Sequence, residues 1–177
     1  MTQPYSTVAM TAAAPSFDED LRRIAAQEQR LVFDRFGTEQ AWALGVRLRE
    51  WALSRQTVLV VDISLHQRQL FRWASDGATA DHDDWVRRKR NVALRFGRSS
   101  YAVGLELTQK GTTLEAKSGL ALRDYATHGG SVPLTVAGTG CVGALTVSGL
   151  PQRDDHTLAM AELAHTLGHD ISDIALT

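Results

Sequence analysis

Residues 128–149, His-Gly-Gly-Ser-Val-Pro-Leu-Thr-Val-Ala-Gly-Thr-Gly-Cys-Val-Gly-Ala-Leu-Thr-Val-Ser-Gly, decide the fold class. Gly138 to Gly143 spell a formal GxGxxG. In a dinucleotide site that turn must open a helix, whose N-terminal N–H groups receive the pyrophosphate. Here it runs into Ala144-Leu145-Thr146-Val147-Ser148, which is β-branched and alternating and continues as strand. The stretch reads as two strands, Val132–Ala137 and Cys141–Ser148, joined by Gly138-Thr139-Gly140, and no nucleotide is expected. Outward from it, Thr57–Ser64 and Gln69–Trp73 form a second strand pair turning near His66.

Helical spacing surrounds these hairpins. Ser16 and Glu19 fit a capping box before an amphipathic helix over 17–31. Leu31–Phe36 reads as a short extended segment. A second helix runs from Thr38 to about Arg55, and its interior Gly45 implies close packing, since glycine there costs about 1 kcal/mol against alanine. Asp81–Asp84 leads into a helix from Trp85 to Phe96, Ser99–Gly111 reads as helix, and a short helix is expected near Leu120–Thr127. Asp154 or Asp155 caps a last helix that stops near Gly168. Two hairpins among helices favour an antiparallel sheet with helices packed on it, an α+β fold, over a doubly wound one.

The chain has 177 residues, 44% hydrophobic and 22% charged, with a net charge of −1. That is the profile of an ordinary globular domain, expected over residues 16–177. Residues 1–15 are small, polar and uncharged, lack the basic start of a secretory signal, and are expected to form a disordered arm. One cysteine excludes a disulfide scaffold, and no apolar run approaches the roughly 20 residues of a membrane helix. Neither nucleic acid nor membrane is an expected partner, and the cytoplasm is the expected compartment.

Trp85–Arg98 carries Arg87, Arg88, Lys89, Arg90, Arg95 and Arg98 with no acid. A solvated basic face, an intersubunit salt-bridge patch, and a site for carboxylates or phosphates all fit this run. Lys89 shares a face with Trp85, Val92 and Phe96, so its stem can lie over the core rim. His128 before the glycine pair and His156 in the first turn of the last helix are candidate neutral ligands. His165 and His169 have ligand spacing, but Gly168 breaks the helix between them, and no metal site is expected. Cys141 reads as an inert core thiol, Glu28 as an edge carboxylate or a buried acid, and Ser99-Ser100 as helix-capping serines.

The run from His128-Gly129-Gly130-Ser131-Val132-Pro133 through Val142-Gly143-Ala144-Leu145-Thr146-Val147-Ser148-Gly149 resembles the haem-degrading domain family, also called GlcG-like or HbpS-like. Trp85-x-x-Arg88-Lys89-x-Asn91 and Ser148-Gly149-Leu150-Pro151-Gln152 with Asp154-Asp155-His156 resemble one uncharacterised subgroup of it. The resemblance implies a profilin-like sheet of about five strands flanked by helices, homo-oligomers from dimers to rings, and a haem or tetrapyrrole connection. No shared ligand position carries over, so the site residues come from chemistry alone. His128 or His156 would supply an axial nitrogen to noncovalent haem, and Arg88, Arg95 or Arg98 would hold its carboxylates. Two rival expectations are a noncatalytic assembly or adaptor protein, and a small-molecule enzyme using Lys89, Asp155 and His156 for proton transfer.

Overall fold

The computed structural model describes residues 17–176, so the expected N-terminal arm and the Ser16 cap lie outside the described residues. The elements are α1 (Phe17–Arg30), β1 (Val32–Phe33), α2 (Thr38–Ser54), β2 (Val60–Leu65), β3 (Arg68–Ala74), α3 (Ala80–Phe96), α4 (Ser100–Gln109), α5 (Leu114–Ser118), β4 (Ser131–Val136), β5 (Gly140–Ser148) and α6 (Gln152–Leu167), followed by a 3₁₀ turn at Ser172–Ile174. Five strands form one sheet in the order β1-β4-β5-β2-β3. Both hairpins form as read, and β2 pairs antiparallel with β5 to join them, for example Asp62 with Thr146. The mixed α+β class holds. The departure from an all-antiparallel sheet is the two-residue β1, which adds to β4 in parallel.

Side chains on a strand alternate between faces, and here the two faces differ in chemistry. Val61, Ile63, Val132, Leu134, Leu145 and Val147 join Leu44 and Leu48 of α2 and Met160 and Leu163 of α6 in the main core. The opposite face carries Asp62, Ser64, Ser131, Thr146 and Ser148, all buried. Helix α3 crosses it, sending Arg90 to Asp62 and Lys89 to Ser148.

Four boundaries differ from the sequence reading, one of them α6, which begins at Gln152 with Pro151 at the cap position, so Asp154 and Asp155 lie in its first turn instead of capping it. Helix α3 begins at Ala80, five residues before Trp85, because Thr79 takes the extended cap position and the acids Asp81 and Asp83 fall in the first turn. The basic run thus starts in the interior of the helix rather than at its positive end. The short helix is at Leu114–Ser118, not 120–127. Thr113 Oγ accepts from Ala116 N, and Gly119 in the left-handed region closes it, leaving 120–127 as turn and irregular chain. Strand β2 starts at Val60 because Thr57 N still bonds to Ala52 O of α2.

Candidate functional site

The site grows from the stretch where β4 starts, β5 ends and α6 begins. Ser100, buried at the start of α4, donates to His128 O (2.6 Å) and accepts from Ser131 N (3.2 Å), pinning the backbone around the glycine pair. Ser100 is thus a positioning residue for that turn, whereas Ser99 caps α4 by accepting from Ala102 N. At Gly130 φ is +121°, and an added Cβ would collide with Val147 O and stand 3.1 Å from Lys89 Nζ. A side chain there would displace the Val147 carbonyl or the Lys89–Asp155 pair, so the close approach and the positive φ both require glycine.

Lys89 reaches from α3 to the C-terminal end of the central strand β5 and is 4% exposed. Its Nζ donates to Asp155 Oδ2 (2.8 Å), Ser148 Oγ (3.2 Å) and Val147 O (3.4 Å). Asp155 also accepts from Leu150 N at 3.0 Å. Burial pushes the Lys89 ammonium below its usual range and the Asp155 carboxyl above its own, each resisted by its partner's charge.

Above this pair lies a cleft of about 270 Å³ lined by Asp81, His82, Trp85, Lys89, His128, Ser148, Gly149, Leu150 and Gln152. His128 meets the Trp85 ring edge-on at 4.8 Å between centroids, and the Arg88 guanidinium covers the indole at 4.2 Å. Burial, then the charges of Lys89 and Arg88, hold the His128 imidazole below its usual pKa, which favours its neutral form. A second cavity of about 160 Å³, running toward Tyr101 and Thr108, shares His128 and Gln152 with the first.

The structure therefore brings Lys89, Asp155 and His128 together and leaves His156 apart. His156 is fully buried on the neighbouring face of α6, its Nε2 3.3 Å from Gln27 Oε1 and its ring tilted against Tyr101. Among the named arginines, Arg88 borders the cleft through Trp85 and pairs with Asp84 at 2.8 Å. Arg98 pairs with Glu106 (2.6 Å), and Arg95 is exposed in the last turn of α3. Cys141 corrects the core-thiol reading: it sits half-buried at the start of β5, donating to Gly143 O. Glu28 accepts from Ser99 N at 2.7 Å, and its burial raises its pKa. His169 lies beyond the αL Gly168, near Arg30 O rather than His165.

Sequence reasoning did not single out His82, Trp85, Ser148 or Gln152 as lining residues. The usable signal was the Trp85-x-x-Arg88-Lys89 spacing, since positions three and four apart share one helix face.

A family model described as "Haem degrading protein HbpS-like" matches residues 36–164. The chain belongs to this HbpS-like family. A UPF0303 protein of Sinorhizobium medicae is 54% identical over 161 residues, spanning 91% of this chain and 98% of the relative. Among solved structures, the Ybr137w protein superposes with a TM-score of 0.79 at 30% identity, covering 86% of this chain and 92% of that one. A structure titled as the PduOC:Heme complex superposes at 0.54 with 20% identity, covering 86% and 94%. At that identity the second likeness speaks to the shared fold of the HbpS-like chain.

Proposed function

We propose that this HbpS-like chain is a small-molecule-binding protein that takes haem or a related tetrapyrrole noncovalently at the Trp85–His128 cleft, acting as a homo-oligomer in the cytoplasm. The observation that carries the reading is the placement of His128, its imidazole edge-on to the Trp85 indole at the junction of two cavities, where burial favours its neutral form. Neutral imidazole is the form that ligates iron, and Arg88, stacked on the Trp85 ring that lines the cleft, is the named arginine that would meet a carboxylate. The match between residues and macrocycle is partial. The main cleft is slightly smaller than the roughly 300–1,000 Å³ typical of drug-sized ligands, so it suits one edge of a tetrapyrrole or a smaller ring. His156, packed away from both cavities, takes no part in this version.

An absorbance titration of tag-free protein with haem tests the reading. One saturating equivalent per chain with a sharp Soret band is expected, and His128→Ala should weaken it about tenfold or more. A featureless response, or a wild-type response from His128→Ala, removes the assignment.

A second reading, assembly through the basic face of α3, is favoured by Arg95. It is exposed and has no ion-pair partner among the described residues, whereas Arg87, Arg88, Lys89, Arg90 and Arg98 all pair within the chain. If that face joins subunits, Arg95→Glu should reduce the particle mass in light scattering without altering the fold. An unchanged mass counts against it.

A further inference from the structure

We propose that Lys89 is a reactive amine that captures small aldehydes or ketones in the cleft as an imine, a carbonyl chemistry distinct from tetrapyrrole ligation. This rests on the same cleft being open to small molecules, and not on haem being its occupant.

Four observations converge. Lys89 is the cleft's only lysine and lines it together with Ser148, to whose Oγ its Nζ donates. A carboxylate able to take its proton, Asp155 Oδ2, is 2.8 Å away and is itself buried and fixed by Leu150 N. Gly130, lacking a Cβ, lets the chain pack closely against Val147 O, Asp155 Cβ and Lys89 Nζ, which confines the pair. Trp85 and His128 supply an aromatic wall that can hold a flat carbonyl compound near the amine. A desolvated lysine beside a proton acceptor is the usual way a protein prepares an amine nucleophile, and burial already favours the uncharged form here.

The step balances without an oxidant or reductant. The Lys89 ammonium gives one proton to Asp155, leaving a neutral amine. Its lone pair attacks the carbonyl carbon, forming a C–N bond as the C=O π bond breaks, and the oxygen becomes the hydroxyl of a carbinolamine. The nitrogen's remaining two protons leave with that oxygen as water, and an imine is left on Nζ. His128, which lines the same cleft, is the group that would pass protons to and from the departing oxygen.

The chain has three lysines, Lys89, Lys110 and Lys117, and the latter two are exposed, so they act as internal controls. Tag-free wild-type protein is incubated with benzaldehyde and cyanoborohydride, which reduces any imine to a stable benzylamine, and the adduct is mapped by peptide mass spectrometry. Lys89 should be labelled about tenfold or more over either exposed lysine. Its labelling should fall as the pH is lowered and Asp155 and the amine become fully protonated. Label spread evenly over the three lysines, or absent from Lys89, overturns the proposal. Lys89→Arg should abolish the preferred adduct, and because the wild-type map needs no variant, the test survives a failure of that variant to fold. The haem titration is read separately. Haem binding without Lys89 labelling sinks this inference alone, and labelling without haem binding sinks the tetrapyrrole reading alone.

Discussion

Asp155 and His156 are neighbours in sequence, yet the turn of about 100° between successive helical residues sends one toward the cleft and the other into the packing against Gln27 and Tyr101. The consequence for His156 is a pKa near 3, set first by burial, then by the charge of Arg153. The unfolded chain protonates this imidazole near 6.5 and the folded chain does not. Its contribution to stability is therefore complete above pH 6.5 and is lost as pH falls from there toward 3. Down to about pH 5 the loss amounts to about 2 kcal/mol. His156→Gln, which keeps a hydrogen-bonding group beside Gln27, should be less acid-sensitive than wild type by that amount in urea melts at neutral pH and near pH 5. Equal acid sensitivity in the two proteins would show that His156 is not held neutral. Sequence marked both His128 and His156 because each sits at an element boundary. What it could not supply was rotation about α6: one residue's difference in register decides between cleft and core, and only tertiary packing fixes it.

At the scale of the element, α3 was readable as a helix, but its chemistry was not. Six basic residues without an acid look like a free patch when counted along the chain. In the fold five of the six are paired: with Asp84 one turn back on α3 itself, Asp124 on the loop after α5, Asp62 on β2, Asp155 on α6 and Glu106 on α4. The Asp84 pairs are local and the Arg98–Glu106 pair is short-range, but the pairings with Asp124, Asp62 and Asp155 depend on long-range contacts that local sequence does not encode. The interior glycine of α2 was more informative. The closeness implied by its helix-weakening cost is real, since a Cβ at Gly45 would run into the Phe71 ring of β3. Gly45→Ala gains helix propensity yet should still destabilise the protein, by about 1–3 kcal/mol, as overpacking outweighs it. A denaturation midpoint at or above that of wild type would mean that β3 gives way easily at this point.

The whole molecule is a sheet with one oily face and one polar face, each covered by helix, and the cleft opens at the edge of the polar one. The apolar alternation that identified the strands predicts the first face only. Asp62, Thr146 and Ser131, side by side across three strands, interrupt that pattern for a reason visible only when α3 is in place. Asp62 is completely buried and accepts from Ser64 Oγ at 2.7 Å, from Gln69 Nε2 at 2.5 Å and from Arg90 at 3.0 Å. Such a network holds α3 in one register but is costly when broken, because its donors are then left without an acceptor in a place with little water. Asp62→Ala should therefore cost about 3–5 kcal/mol, as expected when one partner of a buried ion pair is removed. Replacing Asp62 and Arg90 together by leucine and methionine should recover much of that loss, which a double-mutant cycle in urea measures directly. If the polar layer also sets the position of Lys89 one residue away on α3, the double variant should be stable yet lose the preference for labelling at Lys89. Retained preference would assign the placement of that amine to Asp155 and Ser148 alone.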